Sequence, residues 1–386
     1  MSPRYDVVVV GAGPSGSTAA CICAKSGLST LLIEEQAHIG YPVQCAGLLS
    51  TGAFEECQVS QDCVLNDVSG AVVSAGSFAC SFDAGRRMAY VVDRGQLDRE
   101  MAFKAADAGC EISLKTIATR VSPKEHEITV HGLKGSRDIR YSVLIAADGP
   151  RSMVARGLGI PRAPAYLSGL QCDVMYESDQ DHVRIFPNAS PEFFGWIIPI
   201  GPGRARIGMC GITRMYEKFQ AFIHPFQDQC TQFVSGTIPL GTLSRTYDDG
   251  ILITGDAAAL AKPTSGGGVY TGVRSARHAA ATAIAAMDED NPGKPFFSRY
   301  EMAWKQDFGK EIQRGFSLFR FRQQITPSDM ERLIAVLSDK QIRSVIASKG
   351  DMDRPWSLVL SLLFHPRMIP AYPLIGKALL KLLRSK

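Results

Sequence analysis

Six residues near the start of the chain, Gly11-Ala12-Gly13-Pro14-Ser15-Gly16, constrain its fold more than any other feature. They follow the β-branched run Asp6–Val10, which reads as a buried parallel strand. They precede the small-residue stretch Ser17–Ser26, which reads as a helix ending at Gly27. Leu28–Glu34 reads as a second strand. In such a strand–turn–helix, Gly11 permits the tight turn, Gly13 lets the backbone approach a pyrophosphate, and Gly16 lets helix and strand pack closely. The helix N-terminus turns its positive end toward the phosphates. Glu34 ends the second strand, 23 residues beyond Gly11, where a carboxylate accepts hydrogen bonds from ribose hydroxyls. An isolated glycine turn would mean little, but here strand, turn, helix, strand and acid are in register.

Two later stretches choose the dinucleotide. Asp148-Gly149 ends the apolar strand Tyr141–Ala147, and Gly255-Asp256 follows the buried strand Ile251–Thr254. After Asp256 come Pro263-Thr264-Ser265-Gly266-Gly267-Gly268 and an Ala-rich helix, Val269–Met287. An acid at that strand end bonds ribityl hydroxyls, and the glycines, Gly267 and Gly268 among them, let the next helix start beneath an isoalloxazine ring. Its dipole favours negative charge around N1 and O2 of the ring. These stretches resemble those of the para-hydroxybenzoate hydroxylase-like flavoproteins. Asp93-Arg94 with Leu97 resembles their arginine-containing segment, although a solvated charge at a helix start reads equally well. The resemblance implies FAD. No second GxGxxG follows a strand, since Gly201-Pro202-Gly203 lacks the third glycine, so the electron donor is expected to be external.

The expected fold class is α/β: a Rossmann-like FAD-binding domain, an inserted antiparallel-sheet substrate domain and a helical C-terminal region. The FAD-binding domain is expected to be discontinuous, 1–160 and 249–295, with part of 64–92 joining the substrate sheet. Strand-like runs (Ser168–Tyr176, Val183–Phe186, Gly195–Ile200, Arg204–Gly211) mark 161–248 as the substrate domain. Arg94–Gly109 reads as a helix, and 296–386 as helical to the end.

Composition narrows the partners. Hydrophobic residues make up 45% of the 386 and charged residues 21%, which suits a folded core. A net charge of +4 without a basic, aromatic-interleaved cluster argues against nucleic acid. The ten cysteines form no CxxC pair, so no metal site is expected, and they read as reduced thiols. The first strand begins so early that no secretory signal is expected. No apolar stretch reaches the ~20 residues of a membrane span. Arg354–Lys386, however, has six Lys/Arg and no acid around apolar runs. That pattern fits either an element lying on an anionic membrane surface or a helical cap on the core.

Within the flavoproteins the chain resembles, over almost its whole length, the geranylgeranyl reductases, especially the archaeal digeranylgeranylglycerophospholipid reductases. Tyr41-Pro42-Val43-Gln44-Cys45-Ala46-Gly47-Leu48 resembles their Cys-containing loop beside the flavin. Phe194-Gly195-Trp196-Ile197-Ile198-Pro199 resembles their lipid-pocket motif, YxWxFP followed by GxG. Here Phe194 replaces Tyr, Ile198 replaces Phe, Gly208 fits the first later glycine and Cys210 takes the place of the second. The turn before Val269 matches the family's Pro-x-Ser/Thr-Gly-Gly-Gly. The resemblance implies that Ser15, Glu34, Cys45, Ala46, Leu48, Arg94, Ala118, Asp256, Gly268 and Val269 contact FAD. It also implies that Phe194, Trp196 and Pro199 wall the substrate pocket. Ordinary strand core, and an ordinary small apolar cysteine at Cys45, are the plainer readings.

The implied reaction saturates isolated prenyl double bonds. It needs a hydride from the flavin at one alkene carbon, a proton at the other, and a dry apolar site. Cys45 is the candidate for relaying or tuning the proton, with Tyr41 second. Trp196 offers an aromatic face to developing positive charge. The partners expected are a prenylated membrane lipid and ferredoxin, reduced deazaflavin or NADPH as donor. The expected location is cytoplasmic, peripheral on the inner face of the membrane. An aromatic hydroxylase, a halogenase, a reductase of quinone or chlorophyll-precursor tails, and a non-catalytic flavoprotein are the alternatives.

Overall fold

The computed structural model describes residues 3–289 and 292–384, so Lys386 of the basic C-terminal stretch lies outside the described residues. The run Val7–Val10 is buried in the middle of a parallel sheet. Arg4–Val10 pairs with Thr30–Ile33 on one side and with Gly135–Ala146 on the other. The sheet extends through Ile251–Ile253 and Glu111–Ser113, again in parallel. A parallel sheet is covered on both faces, so a central strand has no solvent face, which is why the sequence here is unbroken β-branched residues.

Helix Pro14–Lys25 begins three residues before the sequence-based expectation, because Pro14 takes the first helical position, where its fixed φ fits and its missing N–H costs nothing. Helix Val269–Met287 packs against it through small residues, including Ala19, Ala20, Ala276 and Ala280. This close contact makes one cofactor-facing layer of two helix N-termini at the strand ends.

The second sheet has the order Cys230–Leu240, Ala165–Met175, Arg204–Gly211, Phe194–Pro199, His182–Phe186, Gly70–Ala75, Phe78–Asp83. Its pairs are antiparallel except His182–Phe186 with Gly70–Ala75. The helix Met215–Ile223 was not legible among the strand-like runs. It covers the sheet's outer face with Met215, Phe219 and Ile223.

Beyond Pro295 the chain is helical, as read, but in pieces. Lys294–Trp304 passes through a π turn into Lys310–Arg322, followed by Pro327–Leu337, Lys340–Lys349, Trp356–Leu363 and Tyr372–Arg384. Among the described residues no single helix is long and apolar enough to cross a membrane. Trp356–Leu363 and Pro366–Arg384, bent by 88° from one another, reach that length and composition only together.

Candidate active site

One cavity of about 790 Å³ runs from the glycine turn at Gly13 to the inner face of the second sheet. At the first end, Cβ atoms test why glycine is needed. A Cβ on Gly16 would lie 1.8 Å from the Gly11 carbonyl oxygen, whereas one on Gly13 would meet nothing within 4 Å. Gly16 therefore serves backbone packing, and Gly13 leaves open space in the cavity wall, where a pyrophosphate would approach. The Glu34 carboxylate lines the same end and accepts from the Ala12 and Gln36 N–H groups at 2.8 and 2.9 Å. Gly11 and Gly16 shape the turn from behind and do not line the cavity.

The middle of the cavity carries the charges. The Asp256 carboxylate has no hydrogen-bond or ion-pair partner among the described residues, and burial pushes it up to about 6, partly offset by Arg94. Arg94 opens the helix that Asp93 caps by accepting from the Gln96 N–H, and it grips Asp98 through both carboxylate oxygens, at 2.9 and 3.1 Å. Burial works against the Arg94 charge, but Asp98 more than offsets it and holds the guanidinium above its ordinary value. Asp148 is spent on the backbone: its Oδ2 accepts from Met153 and Val154, its Oδ1 is buried without a partner, and burial raises its carboxyl. Gly267, Gly268 and Val269 line the cavity beneath Asp256.

The loop bearing Cys45 is fixed from the second sheet. Gln171 Nε2 donates to the Cys45 carbonyl at 3.1 Å, and Arg206 Nη1 donates to the Ala46 carbonyl at 2.9 Å. Arg206 is held in turn by Asp173, its partner across the strands, at 2.6 and 2.9 Å. Cys45, Ala46, Leu48 and Tyr41 all line the cavity. Gln171, Asp173 and Arg206 were missed at the sequence level. The available signal was a buried-strand context around polar and charged residues, which are mostly exposed unless they find partners.

The far end is apolar. Phe194, Trp196 and Ile198 line it, with Val183, Ile185 and Phe193. Strand alternation puts these three on one face and Gly195, Ile197 and Pro199 on the other. Pro199, expected as a wall residue, is absent from the lining, and Ile198 takes that place. Gly208 lies directly opposite Trp196, and a Cβ there would sit 2.4 Å from the indole, so the glycine lets the indole lie flat on the strand. Cys210 stands opposite Phe194 and lines the cavity, and burial pushes its thiol up to about 12. Ala118, expected at the cofactor, pairs with Val130 of the strand Glu127–Gly132, is buried in the core and does not line the cavity. Alternation along a featureless strand could not tell its cavity side from its core side. Ile346 and Leu358, from the C-terminal helices, and Met352, from the loop between them, close this end.

These features fit FAD: an open glycine turn at a helix N-terminus, an unpartnered carboxylate mid-cavity, and a second glycine turn at another helix N-terminus. Residues 4–232 match the FAD binding domain family. The chain is 32% identical to an uncharacterised protein of Methanocaldococcus jannaschii, over 93% of this chain and 95% of that one. It is 30% identical to digeranylgeranylglycerophospholipid reductase 2 of Methanothermobacter thermautotrophicus, over 89% of this chain and 94% of that one. The crystal structure of a geranylgeranyl bacteriochlorophyll reductase-like protein from Thermoplasma acidophilum superimposes with a TM-score of 0.87 at 26% identity, covering 99% of this chain and 100% of that one. With the match spanning more than half of its length and a 30% identical reductase aligned over 89% of it, the chain belongs to the FAD binding domain family and, within it, to the geranylgeranyl reductases, and FAD is its cofactor.

Proposed function

We propose that this enzyme saturates double bonds of geranylgeranyl chains carried on a membrane glycerophospholipid. The observation that carries the reading is the continuity of one cavity, from the cofactor end to an apolar wall of Phe194, Trp196 and Ile198. FAD, when bound, supplies the hydride. The chain's part is to exclude water, lay the alkene against the ring, and bring a proton. Trp196 presents an aromatic face that stabilises positive charge on the more substituted carbon. Phe194 has no hydroxyl, so the proton is assigned to the Cys45 loop, whose carbonyls are pinned by Gln171 and Arg206.

The lipid reaches the cavity from the C-terminal helices. Leu358 lines the cavity, while Leu360, Leu363 and Phe364, on the same short stretch, are exposed. Ile369, Leu379, Leu380 and Leu383 add to that exposed apolar surface, and Arg367, Lys381 and Arg384 lie among them. Apolar side chains flanked by cations suit the surface of an anionic leaflet. The donor is external, and anaerobic mixing with ferredoxin, reduced deazaflavin or NADPH identifies it as the one that bleaches the flavin.

The test is a single turnover. Protein reduced by dithionite without oxygen is mixed with unsaturated digeranylgeranyl glycerophospholipid, and lipid mass is followed. Gain of one H2 per saturated bond with flavin reoxidation is expected. Flavin that stays reduced until oxygen enters, with the lipid unchanged, overturns the reading in favour of a hydroxylase.

A further inference from the structure

Lys262 is the cation of this cavity that the reading above leaves unused. It is 7% exposed and lines the cavity at the turn before Val269. Its backbone N–H donates to the Gly267 carbonyl at 3.0 Å, and its carbonyl accepts from Gly266 N–H at 2.7 Å, so it closes the glycine turn on itself. Its ammonium stays at that turn, 3.6 Å from where a Gly267 Cβ would be. There it donates to the Met352 carbonyl at 3.0 Å and pairs with Asp353 at 2.5 Å. Asp353 is held from its other oxygen by the Ser50 hydroxyl at 2.6 Å.

Two cations line the cavity among the described residues, and the other, Arg94, is gripped by Asp98 inside the same cavity. Lys262 differs, because its carboxylate partner lies behind the wall and does not line the cavity. The pair is therefore a dipole with its positive end facing inward. A buried ion pair rarely gains stability over an apolar pair of the same volume. Its field, however, is felt strongly by a ligand that changes charge in a water-excluded site. A flavin gains electrons on reduction, and with its ring seated at this turn the added negative charge would lie near the Lys262 ammonium.

We propose that Lys262 sets the reduction potential of the bound flavin by stabilising its reduced form, with Asp353 as the counter-ion that moderates the effect. The proposal rests on the reading of Gly266–Gly268 as the seat of the flavin ring.

The two partners make it testable, because an ion pair that merely holds the loop in place is broken the same way from either side. The flavin of purified holoprotein is titrated against reference dyes. Lys262→Met is expected to lower the reduced-to-oxidised ratio at fixed potential at least tenfold, about 30 mV for a two-electron couple. Asp353→Asn, which keeps the shape and a hydrogen bond to Lys262, is expected to raise that ratio severalfold, and Lys262→Arg to restore most of it. Shifts of the same sign in Lys262→Met and Asp353→Asn, or no shift in either, overturn the proposal. Gly268→Val separates the two failures, since a Cβ there meets Asp256 Oδ1 at 2.6 Å. If that variant loses FAD while the potentials stay unmoved, only the role of Lys262 falls. If it keeps FAD at full affinity, the seat of the ring falls as well, and the proposal with it.

Discussion

At the glycine turn one methyl group separates two different losses. Gly16→Ala places a carbon against the Gly11 carbonyl and is expected to cost about 1–3 kcal/mol or more of stability, as overpacking does, read by chemical denaturation. Gly13→Ala meets no atom within 4 Å, so its melting temperature should stay near wild type while FAD affinity falls roughly tenfold, about 1.4 kcal/mol. Asp256 makes a pH prediction. Its carboxyl titrates near 6 in the folded FAD-free protein, above the ordinary ~3.9. A raised folded value means that the group favours the folded state below about pH 4 and loses that contribution as pH rises through about 6. Asp256→Asn should therefore raise the melting temperature of FAD-free protein above about pH 6 and remove this part of the pH slope, while weakening FAD binding. Melts across pH, paired with FAD titration, check both signs.

At the scale of elements, the strand pair Ala165–Met175 and Arg204–Gly211 does more than form a sheet. Its one cross-strand ion pair, Asp173–Arg206, reaches out of the sheet to hold the Ala46 carbonyl. Arg206→Met leaves Asp173 buried and unpaired, and a loss of about 3–5 kcal/mol is expected by denaturant titration. The double variant with Asp173→Leu should recover much of that stability. It should still leave the Ala46 carbonyl without its partner, with Gln171 alone holding the Cys45 loop, seen as slower lipid turnover at full FAD occupancy. If the double variant turns over lipid like wild type, the pair serves the fold and not the loop.

At the scale of the whole molecule, the cavity is assembled from segments that are far apart in the chain: the first βαβ turn, the Cys45 loop, the second sheet, the turn at Gly267 and the C-terminal helices. The last of these link the cavity to an apolar, basic surface, and in the proposed reading that surface serves both docking and substrate access. Each Lys or Arg near an anionic surface contributes about 1 kcal/mol, so Lys381→Gln with Arg384→Gln should reduce partitioning onto anionic vesicles roughly tenfold or more. Phe364→Ser, which removes a side chain 78% exposed, should weaken binding to neutral vesicles as well. Vesicle flotation measures both. Unchanged flotation for all three substitutions would place the docking surface elsewhere.

Local physics made the cofactor end readable. Glycines that a Cβ would block, valines buried on both faces of a parallel strand, an acid at a strand end and alanines spaced along a helix each leave a mark at fixed spacing in the sequence. For the same reason, helix Val269–Met287 and the strands Arg204–Gly211 and Arg4–Val10 could be placed to within a few residues. The tertiary structure alone decided which face of a strand meets the cavity, so that Ile198 lines it and Pro199 does not, and Ala118 turns into the core. It alone brought Arg206 to the Cys45 loop, 160 residues away, and Asp353 to Lys262, 91 residues away. Such pairings carry no periodicity. They exist because packing buries charges that must then find one another, and only the folded chain fixes where.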